Sequence, residues 1–173
     1  MKFKSQICTT REQSERLLSL GLKKETADMC YKVTTHDWRG HEIPERDKHY
    51  SLCNWYDELN IVSGFEQIKT IPAWSLHRLI EMMPNNIHKY NDIADLSVSN
   101  ELVQYRFYDV DYNHDVCLEH FNDGTLYDNI IDCIEWLIKE GYFNKEYLVN
   151  QAEIEEHCKG VLEYLDYIRG EEE

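Results

Sequence analysis

Apolar positions recur along this chain in short bursts, and their spacing divides it into elements before any other property is used. The strongest burst lies between Leu126 and Lys139, where Tyr127, Ile130, Ile131, Ile134, Leu137 and Ile138 fall at helical intervals. That spacing lays a single apolar stripe along a helix. Asn129, Asp132, Glu135 and Lys139 fill the other positions and are expected to face water. Thr125 is placed to cap this helix with Asp128 at its third position, and Gly141 to end it in left-handed backbone.

Two more helices announce themselves by their ends. Thr10 and Gln13 have the spacing of a capping box. Leu17, Leu18 and Leu20 follow, Gly21 is a natural terminator, and Lys24–Asp28 adds a short helical turn. The stretch Thr70–Asn86 reads as a helix with Pro72 in its first turn and Leu76, Leu79, Ile80 and Met83 on its buried face, Trp74 widening that face. Pro84 disfavours helical backbone at Met83 and sets the stop there.

Strand signals are weaker. Met29, Tyr31 and Val33 alternate with Cys30, Lys32 and Thr34. Glu101–Val110 puts Val103, Tyr105 and Phe107 on one face, Asp111–Asp115 is rich in turn formers, and Val116–Phe121 can return as a second strand. Residues 35–69 hold no period and read as a long ordered loop with a short strand near Asn60–Ser63. Loops of such length are commonly functional. Asn144 is placed to cap a last helix with Tyr147, Ile154, Cys158, Val161, Leu162, Leu165 and Ile168 on its apolar side. The order is helix, strand, loop, helix, hairpin, helix, helix. The expectation is an α+β domain, a small antiparallel sheet or hairpin against several amphipathic helices, over residues 1–143. Residues 144–173 form an acidic helical extension packed on the same domain.

Composition sharpens this picture mainly through charge. Of 173 residues 42% are hydrophobic, enough to build a core, and the formal net charge is −15. Residues 1–100 carry 13 basic and 14 acidic side chains, whereas residues 101–173 carry 5 and 19. The C-terminal part should therefore repel nucleic acid, which demands a basic footprint. No leading apolar segment or membrane-length apolar run is present in the sequence, so a cytoplasmic protein without membrane contact is expected. The six cysteines are scattered without a CxxC pair, which suits reduced and mainly buried thiols.

Three blocks carry a family resemblance: Gln13–Leu18 with Leu20–Leu22 and Glu25–Met29; Ile71–Leu76 with Leu79 and Met83–Pro84; and Leu126–Cys133 with Leu137–Lys139. In that order they resemble a group of small uncharacterised proteins carried by gut anaerobic bacteria and by their phages and mobile elements. The resemblance spans most of residues 9–143. It implies a small α+β domain, a bacterial cytoplasm and a mobile-element origin, and it brings no functional residues with it. The chain departs from the group's pattern after Phe143.

Candidate chemistry is sparse. Asp109, Asp111, Asn113 and Asp115 have the outline of a calcium loop, but His114 replaces the required Gly and His120 the bidentate Glu. A hairpin tip explains these residues better. His36, His41, His49 and Cys53 gather in the irregular segment and offer zinc-type ligands at unfamiliar spacings. Trp38, Trp55 and Tyr56 could line an apolar ligand pocket. No G-x-S-x-G, HExxH or P-loop occurs, and no cofactor is implied. Three readings stand open. The first is a non-enzymatic acidic protein that binds a basic protein partner, as an inhibitor or DNA mimic. The others are a small metal-dependent enzyme or metal-stabilised module, and a small-ligand-binding module. The final helix is further expected to be able to pair with a second copy of the chain.

Overall fold

A computed structural model describes residues 6–36, 39, 41–54, 68–89, 92–109, 111 and 113–150. Its elements are α1 (Arg11–Ser19), β1 (Met29–Thr34), β2 (Tyr50–Asn54), β3 (Ile68–Ala73), α2 (Leu76–Met82), β4 (Asn86–Lys89), β5 (Asp92–Val98), β6 (Val103–Asp109), β7 (His114–Phe121) and α3 (Leu126–Glu140). Single turns of 3-10 helix lie at Lys24–Thr26, Glu45–Asp47 and Lys145–Tyr147. The strands form two antiparallel sheets, ordered β2-β1-β3 and β4-β5-β6-β7. The fold is α+β, as expected. Among the described residues no helix is long and apolar enough to cross a membrane.

The core forms where α3 lies on the four-stranded sheet. Ile130, Ile131, Ile134 and Leu137 of α3 are fully buried, and α3 contacts β6, β7, α1 and α2. The sheet answers with Ile87, Ala94, Val103 and Tyr105, while Leu17, Leu22, Trp74, Leu79 and Met82 close the sides. Each Ile, Leu, Val or Met among them contributes roughly 1.5–3 kcal/mol on leaving water. The half-buried Trp136 meets the rings of Tyr105, Phe121 and Tyr142 at centroid distances of 5.9, 6.2 and 5.8 Å.

The capping expectations hold at atomic detail. Thr10 accepts from the Gln13 N–H at 3.2 Å and the Gln13 side chain accepts from the Thr10 N–H at 2.9 Å. Thr125 and Asp128 form the same reciprocal pair at the head of α3. Gly21 and Gly141 sit at φ of 91° and 80°, where a side chain would be strained.

Several expectations are corrected. Pro72 is not in a helix: Ile68–Ala73 is strand β3, and α2 starts only after Ser75, whose hydroxyl accepts from the Arg78 N–H. As β3 is an edge strand, the missing N–H of Pro72 is tolerated. Residues 35–69 are not all loop, because β2 and a 3-10 turn form within them. The hairpin is half of a four-stranded sheet, to which β4 and β5 add the rest. Asn129 does not face water; it is fully buried. Asn144 caps a single 3-10 turn, after which Leu148 bridges to Leu22. The short strand expected near Asn60–Ser63 lies outside the described residues. So does the extension beyond Asn150, with Cys158.

Candidate functional site

The outer face of the four-stranded sheet carries an open surface of mixed chemistry. Cross-strand register places Asp95 opposite Arg106, Arg106 opposite Cys117, and Tyr108 opposite Asp115. Alternation sends these side chains away from the core, because neighbours along a strand point to opposite faces. Asp95, Leu96, Ser97, Arg106, Phe107, Tyr108 and Asp115 line a shallow groove of about 280 Å³. Arg106 reaches the Asp115 carboxylate at 3.4 Å, and Tyr108 donates to the Asn113 side chain. Tyr108 and Ile93 are 54% and 51% exposed. At the β6–β7 tip the Asp111 N–H bonds to the Asp109 carboxylate at 3.0 Å and Asn113 takes a positive φ of 54°. These are turn features, in keeping with a hairpin tip.

A second cleft of about 330 Å³ runs beside α2, lined by Glu25, Thr26, Ala27, Asp28, His77, Arg78 and Glu81. Its charges are largely engaged. Both Asp28 oxygens accept from Ser75, at 2.8 Å from N–H and 2.5 Å from the hydroxyl. Arg78 donates to the Thr26 carbonyl at 2.9 Å and to Glu81 at 2.7 Å, and lies over the Tyr147 ring. Ser75 is thus tied down as a helix cap. Its hydroxyl donates to the Asp28 carboxylate and accepts from the Arg78 N–H.

Beside this cleft a polar network joins the N-terminal segment to Trp74. The backbones of Thr9 and Trp74 bond at 2.9 Å, the Thr9 hydroxyl accepts from the Trp74 N–H at 3.0 Å, and the Trp74 indole donates to Thr26 at 3.0 Å. Tyr31 donates to the Thr9 carbonyl and meets the Cys8 sulfur at 3.3 Å. Burial, chiefly, raises the pKa of both Tyr31 and Cys8. Tyr127 is also buried, and among the described residues its hydroxyl has no hydrogen-bond partner. Burial, then the neighbouring Cys8, pushes it up to about 12; the backbone of Leu76 opposes that rise without reaching hydrogen-bond geometry.

The sequence-derived candidates are distributed as follows. Trp38, Trp55 and Tyr56 lie outside the described residues. His36 is half-buried, with its Nδ1 3.0 Å from the Thr35 hydroxyl, and its backbone bridges to Glu42. His41 and His49 are exposed. Cys53 sits on β2 with its sulfur 3.2 Å from that of Cys30. Among the described residues no three His, Cys, Asp or Glu side chains are grouped to hold a metal ion. Two features escaped sequence reasoning. The Cys30–Cys53 pairing needs the strand register, which no local spacing reveals. The buried Asn129 could have been suspected from its place beside Ile130 and just after the Asp123-Gly124 turn.

No protein-family model, curated protein or solved structure matches this chain.

Proposed function

We propose that this chain is a non-enzymatic acidic interaction protein that engages a basic surface of another protein. Its narrower form is an inhibitor or DNA mimic of phage or mobile-element origin acting in a bacterial cytoplasm. The observation that carries the reading is the imbalance of charge in the C-terminal half. Residues 101–150 hold 11 acidic and 3 basic side chains. Among the described residues, Arg106 pairs with Asp115, and Arg16 with Asp132 and Glu135. Surplus exposed carboxylates such as Glu101, Asp111, Asp123 and Glu140 create a negative field that steers basic partners and repels nucleic acid. The exposed Tyr108 beside Asp115 adds apolar contact, of the kind that interfaces favour.

The test is a pull-down from bacterial lysate with the full chain as bait, repeated at rising salt, beside a gel shift with duplex DNA. The expected result is capture of a basic protein at low ionic strength, its release by salt, and no DNA shift. Asp123→Asn combined with Glu140→Gln should weaken the capture several-fold. Recovery of nothing at low ionic strength, or binding to the duplex, would overturn the reading.

A further inference from the structure

Cys30 and Cys53 stand directly opposite one another across the antiparallel pair β1–β2. Directly opposed residues project from the same face of a sheet with their Cβ atoms close. Here the two sulfurs lie 3.2 Å apart, and the Cys53 sulfur is also 3.5 Å from the Cys30 carbonyl oxygen, to which it can donate. No disulfide joins them. A disulfide bond measures about 2.05 Å, so the sulfurs must approach by only ~1.2 Å. Cys30 is fully buried, whereas Cys53 is half-buried and within reach of solvent.

The other described cysteines are differently disposed. Cys8 meets the Tyr31 hydroxyl, Cys117 meets the Gln104 side chain at 3.8 Å, and Cys133 is enclosed within the core side of α3. Burial, then Glu119 and Asp132, pushes the Cys133 thiol up to about 12, which makes it an unreactive internal control.

We propose that Cys30 and Cys53 form a reversible dithiol–disulfide site whose co-reactant is a low-molecular-weight disulfide of the glutathione class. Cys53, the reachable thiol, gives its proton to water and attacks one sulfur of glutathione disulfide. The glutathione S–S bond breaks, one glutathione leaves as thiolate, and Cys53 carries a mixed disulfide. Cys30 then loses its proton and attacks the Cys53 sulfur, expelling the second glutathione and closing the Cys30–Cys53 bond. Two protein thiols are oxidised and one glutathione disulfide is reduced to two thiols, so electrons balance without another oxidant. The bond pins β2, an edge strand with no fully buried residue, onto β1.

The experiment equilibrates the full chain in buffers of varied reduced-to-oxidised glutathione ratio, followed by acid quenching, alkylation and peptide mapping. The expected product is a Cys30–Cys53-linked peptide pair that grows with the oxidised fraction and disappears on adding dithiothreitol. Cys30→Ser should accumulate glutathione on Cys53, while Cys53→Ser should leave Cys30 unmodified until the chain is unfolded. Should Cys30→Ser not fold by circular dichroism, the wild-type titration still decides. Alkylation of both residues at every ratio, or a link from Cys53 to any other cysteine, would overturn the proposal.

Discussion

In the four-stranded sheet Ile87, Ala94, Val103 and Tyr105 are buried on the side that carries α3, whereas in the three-stranded sheet β2 has no buried residue at all. The first is held by apolar area. The second is held by Cys30 and Val33 of β1, by Ala73 of β3, and by hydrogen bonds such as Tyr31 to Thr9. At its outer edge Arg11 donates to the Tyr50 hydroxyl at 3.2 Å and lies 5.9 Å from its ring centre, an exposed contact of small net value. The difference teaches where stability resides. Burial adds over an entire face, while exposed polar contacts nearly break even with water. The α3 sheet should therefore set global stability, and β2 should open first.

Core truncation separates the two regions most strongly. Ile134→Ala should cost about 2–5 kcal/mol in denaturant unfolding, whereas Leu52→Ala on the half-buried face of β2 should cost about 1 kcal/mol. Equal costs would erase the distinction. Closing the Cys30–Cys53 bond should stabilise the chain by up to ~3 kcal/mol, because it shortens the unfolded ensemble by a loop of moderate length. A thermal melt of the oxidised and reduced forms reads this gain. The Cys53→Ser variant should show none.

Asn129 is the polar pin of the apolar region. It donates to the carbonyls of Glu101 and Gly124 at 2.9 and 3.2 Å and accepts from the Gly124 N–H at 3.0 Å. Asn129→Ala strands these groups and should cost about 1–3 kcal/mol. At the head of α3, Asp128 is held below its usual carboxylate range chiefly by the Thr125 hydroxyl, against its desolvation, with lesser help from Gln13, the Thr125 N–H and Arg16. A depressed folded pKa contributes stability above the unfolded value, and that stability is lost as pH falls through the folded one. The acid limb of the unfolding profile should accordingly be flatter in Asp128→Asn, which titration calorimetry or acid melts would detect. The smallest effect is expected at Tyr127→Phe, within about 0.5 kcal/mol, since the hydroxyl it removes has no partner among the described residues.

How much of this was legible depends on whether the signal was local. Thr10, Gln13, Thr125, Asp128, Gly21 and Gly141 act within one turn of chain, and their roles were readable directly. The same is true of the apolar stripe of α3 and the β6–β7 hairpin. Pro72 misled because a proline suits a helix start and an edge strand equally well, and only pairing with β1 chooses between them. Strands β4 and β5 were missed although Ala94, Leu96 and Val98 alternate with polar residues, since small or half-buried side chains give that period little amplitude. For the candidate site the balance is poorer. Acidity was plain in composition, yet the outward set Asp95, Arg106, Tyr108 and Asp115 and the thiol pair on β1 and β2 come from register between distant segments.

Native-state hydrogen exchange, resolved by residue on the reduced chain, tests the division between the two sheets most directly. Amides of Ile130–Leu137 should exchange only through global unfolding, while those of Tyr50–Asn54 should exchange through a much cheaper local opening. Oxidation in glutathione buffer should slow exchange at Tyr50–Asn54 and leave Ile130–Leu137 above them. Equal protection of the two segments in the reduced chain would refute this division.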